Sequence, residues 1–142
     1  MHSASVRSAT GFTLLFPSDP RWVRNAREAM RTHLGSEVPG DPELIDTAVL
    51  LTSEVVSNAV AASLRCPVPP PVGLHCYWTS TSPGELHVLV HDRAPGVLTS
   101  PDRPAALGAE HGRGLRLLSC CARAWDIRRH LHDPGKTVWF RL

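Results

Sequence analysis

Lysine is nearly missing from this chain: of 142 residues one is lysine, Lys136, against fourteen arginines. The charge still balances, at +2 with the histidines neutral, so charge alone points to neither nucleic acid nor a membrane surface. No uninterrupted apolar run approaches the ~20 residues of a membrane span. Met1 to Thr10 holds no apolar h-region, so no secretory leader is expected and a cytoplasmic protein is the default. The four cysteines, Cys66, Cys76, Cys120 and Cys121, form no C-x-x-C pair, and Cys120–Cys121 is poor disulfide spacing. All four are expected to be reduced and mostly buried. His75, Cys76, His87, His91, His130 and His132 show no four-ligand zinc spacing. There is no internal repeat and no interdomain linker. At 42% hydrophobic and 20% charged residues, the composition is that of one globular domain able to bury its own core.

Residues 1–9 are small and polar and are expected to fray; the domain is expected to span 10–142. Thr10 to Phe16 reads as a strand, stopped by Pro17. Ser18-Asp19-Pro20 signals a helix start, and Trp22, Val23, Ala26, Met30 and Leu34 recur at helical spacing up to Gly35. Asp41-Pro42-Glu43 opens a second helix to about Ser63, with a stripe of Leu44, Ala48, Leu51, Val55 and Ala59, widened by Leu50, Val56 and Val60. Val72 to Thr79 and Glu85 to His91 read as a strand pair. Gly112 to Arg123 reads as a third helix. Trp125 to Leu131 and Thr137 to Leu142 are the last strands. Strands that come one, two and two, with helices between, do not make regular βαβ alternation. The expected fold is α+β, a two-layer α/β sandwich: a mixed, mostly antiparallel sheet with about three helices on one face. Four tryptophans, Trp22, Trp78, Trp125 and Trp139, fall on these faces; packing is the expected role for most, and Trp78 and Trp125 could instead border a partner surface.

Three groups of residues could carry chemistry. Glu54 and Asn58 are four apart on the second helix and so share a face. There a carboxylate could act as general base, and a carboxamide oxygen could serve Mg²⁺, a hard cation that prefers oxygen. Asp92 ends an apolar strand (Val88-Leu89-Val90-His91-Asp92) before a turn with Pro95 and Gly96; a carboxylate there can accept from an exocyclic amine, and Gly lets a ligand approach the backbone. His111-Gly112-Arg113-Gly114-Leu115 opens the third helix, where free backbone N–H groups and the helix dipole suit phosphate. It is not a Walker A motif, since no Gly-Lys-Ser/Thr follows, and it does not follow a strand as a Rossmann fingerprint does. Taken singly, the first two read rather as a polar helix edge and ordinary turn chemistry, and the third reads equally as a hinge. Between the second and third lies a Pro/Gly-rich stretch, about 97–111, of the kind that serves as a functional loop.

The order of these groups resembles the histidine-kinase-like, or Bergerat-fold, ATPase superfamily across residues 10–142. Ser53-Glu54-Val55-Val56-Ser57-Asn58, Gly112-Arg113-Gly114-Leu115 and Gly135-Lys136-Thr137-Val138-Trp139-Phe140 are most similar to its small single-domain branch, which contains the anti-sigma-factor serine kinases. The resemblance implies ATP and Mg²⁺ as cofactors. It implies Asn58 on the Mg²⁺ that bridges the phosphates, and Glu54 as base toward water or a protein serine. Asp92 would hold the adenine amino group, with Gly96 letting the adenine edge sit close. Gly112, Arg113, Gly114 and Leu115 would lie around the phosphates, Thr137 near adenine, and 97–111 would be the ATP lid.

The activity so implied is a protein serine/threonine kinase that binds a sigma factor and phosphorylates an anti-anti-sigma antagonist, without direct nucleic-acid or membrane contact, as a homodimer. The sequence departs from the family at Ala61 and Ala62, where a basic residue and a His or Tyr are common, and at Ala94, where the adenine turn commonly has glycine. These departures favour an alternative: a non-catalytic regulator of the same fold, with weak or no ATP binding, that acts by protein contact.

Overall fold

The computed structural model describes residues 10–79, 84–94 and 108–142, with backbone alone at Thr10 and at 108–113. The elements run β1 (Thr10–Phe16), α1 (Arg21–Glu37), α2 (Pro42–Leu64), β2 (Val72–Trp78), β3 (Leu86–Asp92), α3 (Gly108–Cys121), β4 (Ala124–Arg129) and β5 (Lys136–Arg141). The five strands form one sheet in the order β1-β2-β3-β5-β4, and every neighbouring pair is antiparallel. The sheet is thus wholly antiparallel rather than mixed, and the α+β two-layer architecture holds.

Alternation along the strands sorts the sheet into a covered and an open face. Val72, Leu74 and Cys76 of β2, Leu86, Val88 and Val90 of β3, and Val138 and Phe140 of β5 are all buried toward the helices. Met30 of α1 meets Cys76 there, sulfur to sulfur at 3.8 Å, and Trp22 stacks on Phe16 with ring centres 5.8 Å apart. Burial pushes the Cys76 thiol up to about 12, so it is a packing group rather than a nucleophile. Cys66 is half-buried, and Cys120 and Cys121 are exposed; of the four cysteines expected to be mostly buried, only Cys76 is.

The helix α2 is the spine of the core. Asp41 caps it by accepting from the Leu44 N–H at 3.1 Å, as its Asp-Pro-Glu start requires. By length and composition it is apolar enough to cross a membrane, although no unbroken apolar run in the sequence suggests it. In the fold it instead packs on the sheet, on α1 and on α3, burying Ala48, Leu51, Val55, Val56, Ala59 and Val60. Leu50, expected to widen that stripe, is 44% exposed because it turns away from the sheet.

Two helix ends differ from the sequence reading, and both involve glycine. α1 runs through Gly35 to Glu37, since no proline stops the hydrogen-bond ladder there. α3 is already helical at Gly108, four residues before Gly112. The segment Gly108-Ala109-Glu110-His111 contains no proline and includes two good helix formers, so the ladder extends a turn earlier at a cost of only about 1 kcal/mol per internal glycine. Gly96 and most of the 97–111 stretch lie outside the described residues.

Candidate functional site

A cavity of about 280 Å³ opens between α2, α3 and the ends of β3 and β5. Its floor is sheet, Val90 and Val138; its walls are Val55 and Ala59 of α2 and Leu115 and Leu118 of α3; Ile127 of β4 closes one side. Into this apolar slot project Asn58, Asp92, Arg65, Arg129 and Lys136. An apolar slot with a few convergent polar groups is the usual form of a small-molecule site.

Asn58 and Asp92, thirty-four residues apart in groups that each read singly as ordinary structure, therefore share one cavity. Gly114 and Leu115 line it as well. Gly114 is pressed against Asn58: a Cβ added there would lie 2.8 Å from Asn58 Nδ2. A side chain at this position would have to push the carboxamide aside. Gly114 is not at the helix start, however. The described part of α3 already includes Gly108, so the Gly-x-Gly segment lies inside the helix and the backbone N–H groups of 112–114 are within its hydrogen-bond ladder. The side chain of Arg113 lies outside the described residues. Glu54 is half-buried one turn before Asn58 on α2 and does not line the cavity.

Asp92 is 2% exposed. Its Oδ1 accepts from the Ala94 N–H at 3.2 Å and its Oδ2 accepts from Lys136 Nζ at 2.6 Å. Lys136 stands directly opposite Asp92 in the β3–β5 register. Gly135 makes this approach feasible: its φ of +113° is open to glycine, and a Cβ there would collide with the Asp92 backbone carbonyl.

Thr137, expected near adenine, does not line the cavity. Because Lys136 and Val138 point toward the helices, Thr137 must point to the open side. Its hydroxyl pairs with His91 Nδ1 at 2.6 Å and with His130 Nε2 at 2.9 Å. Its neighbour Lys136 lines the cavity. His75 also lies on the open face, bonded to Thr13, whereas its neighbour Cys76 lies in the core.

Sequence reasoning missed Arg65, Arg129 and Lys136. Three cations against the single carboxylate of Asp92 leave the described lining positive, which suits an anionic ligand. Two signals were available. Arg65 is seven residues after Asn58, two turns along the same helix face. Lys136 is the only lysine in the chain.

The sequence profile of the histidine kinase-like ATPase domain matches residues 16–142. The chain belongs to that family. A chain in the crystal structure of the SiaB-SiaC complex from Pseudomonas aeruginosa has a similar fold, with a TM-score of 0.60 at 14% identity over 92% of this chain and 88% of that one. At that identity the likeness concerns the fold alone. No curated protein sequence matches the chain.

A second groove of about 610 Å³ runs between α1 and α2, lined by Arg24, Arg27 and Arg31 together with Glu28, Asp46 and Ser53. Arg31 lies 3.6 Å from Asp46 across it.

Proposed function

We propose that this protein is a nucleotide-binding regulator that takes Mg-ATP in the α2–α3 cavity and transfers the γ-phosphoryl group to a serine or threonine of a partner protein. The observation that carries the reading is the convergence of Asn58 and Asp92 on one cavity, with Gly114 packed on the Asn58 carboxamide. Asp92 would receive the base. The Asn58 carbonyl oxygen would hold Mg²⁺ on the phosphates. Arg65 and Arg129 would offset phosphate charge where Ala61 and Ala62 offer none. Glu54, one turn from Asn58, would accept the proton of the attacking hydroxyl, while positioning and charge neutralisation supply most of the acceleration.

The partner must bring the hydroxyl, since no described element forms a second substrate site. Phosphate adds about −1.5 to −2 charges to it, enough to switch its binding preference. The neighbouring structure is itself of a two-protein complex, and the arginine-lined α1–α2 groove supports an acidic protein partner here. A sigma factor and its antagonist, and a homodimer, belong to this proposal by resemblance.

The second reading, regulation by contact alone, is favoured by one observation: Asp92 already has an internal partner in Lys136. Calorimetry separates the two. Wild type should bind ATP and ADP more tightly with Mg²⁺ than without, Asp92→Ala should lose binding by a hundredfold or more, and Asn58→Ala should lose the Mg²⁺ dependence. A folded wild type that binds no millimolar nucleotide would leave the contact-only reading. If binding is found, labelling of a protein serine or threonine by wild type but not Glu54→Gln tests the transfer.

A further inference from the structure

The base end of the cavity is not a lone carboxylate. Asp92 and Lys136 lie side by side at 2.6 Å, one acceptor and one donor, both lining the slot. The carboxylate cannot turn away freely, because its other oxygen is held by the Ala94 N–H. The ammonium can: the Lys136 side chain is 24% exposed at the cavity mouth, on a flexible stem.

A buried carboxylate alone reads an amine. A keto oxygen set against it would meet only lone pairs and would leave a buried acceptor without a donor, and sites of that kind discriminate strongly. An adjacent ammonium removes the conflict. Adenine shows an amine beside the acceptor N1, whereas guanine shows the keto oxygen O6 beside the donor N1–H and a second amine. Each edge sets a donor next to an acceptor, so a paired carboxylate and ammonium can meet either one.

We propose that Lys136 is a specificity-determining residue that, with Asp92, reads the base edge and opens this site to keto purine nucleotides as well as to adenine nucleotides. The inference rests on the nucleotide-site reading above. In the keto mode Asp92 Oδ2 accepts from N1–H and the 2-amine while Lys136 donates to O6. In the amine mode Asp92 accepts from the 6-amine while Lys136 donates to N1. Val90, Val138 and Leu118 provide apolar surface for either ring.

The test is calorimetric titration of the full chain with Mg-ADP and Mg-GDP. Wild type should bind the two within about tenfold of each other. Lys136→Met should weaken ADP by about tenfold, for the charged hydrogen bond to N1 alone, and GDP by about a hundredfold or more, because O6 is then also left against the carboxylate. Since Lys136→Met strands a buried carboxylate and could unfold the chain, Lys136→Gln is the second variant. It keeps a donor without the charge and should fall between the two. A GDP-to-ADP affinity ratio unchanged by both variants, or a wild type that rejects GDP by more than a thousandfold, overturns the inference and leaves the nucleotide site standing. A folded wild type that binds neither nucleotide overturns both.

Discussion

Lys136 donates to Asp92 across the β3–β5 ladder at 2.6 Å, joining the only lysine in the sequence to the one buried carboxylate among the described residues. The pair is satisfied before any ligand arrives, so a ligand must repartner both charges rather than fill an idle acceptor. Breaking one member strands the other, which for a buried pair costs about 3–5 kcal/mol.

The solitary lysine is also a chemical handle. An amine-selective reagent has one side-chain target in this sequence, Lys136. Peptide mass spectrometry should find Lys136 modified more slowly in the folded than in the denatured chain, because the ion pair and three-quarters burial shield it. Saturating Mg-ADP should slow it about tenfold further. Equal rates with and without nucleotide would place the base away from Lys136.

Gly114→Ala separates binding from folding. The added methyl would meet Asn58 Nδ2 at 2.8 Å and displace the carboxamide. A helix interior favours alanine over glycine by about 0.5–1 kcal/mol, which offsets the crowding. The expected outcome is a melting temperature within a few degrees of wild type and Mg-ADP affinity lowered at least tenfold.

Gly135→Ala should do both kinds of damage. The residue's φ of +113° disfavours a side chain, and the methyl would strike the Asp92 carbonyl. Denaturant unfolding should show a loss of about 2 kcal/mol or more, and nucleotide affinity should fall with it as the β5 end backs away from Asp92.

On the open face, burial first and then repulsion from His130 and His75 hold the His91 imidazole below its ordinary 6.5, against the opposing pull of Asp92. The unfolded chain therefore binds this proton more readily. Stability is full above the ordinary value, falls as pH drops through it, and stops falling below the folded value. Melting temperature between about pH 7.5 and about pH 5.5 should fall more in wild type than in His91→Asn. Parallel profiles would show that His91 does not contribute.

Local chemistry determined a good deal in advance. The capped start of α2, the strand Thr10–Phe16 and the buried stripe of Leu51, Val55 and Ala59 follow from capping, β-propensity and helical period, all of which act within a few residues. The order of Glu54, Asn58, Asp92 and the glycine segment was enough to name the family that the profile match establishes. Tertiary structure decided the rest. Strand parity is set by which residues of β5 meet the helices, and that put Lys136 in the cavity and Thr137 on the open face. Helix ends depend on whether an extended ladder finds packing, and that set Gly114 inside α3, against Asn58. Arg129 became a cavity residue only once β4 met α2 and α3 around one slot, because a long-range contact leaves no mark in the sequence on either side of it.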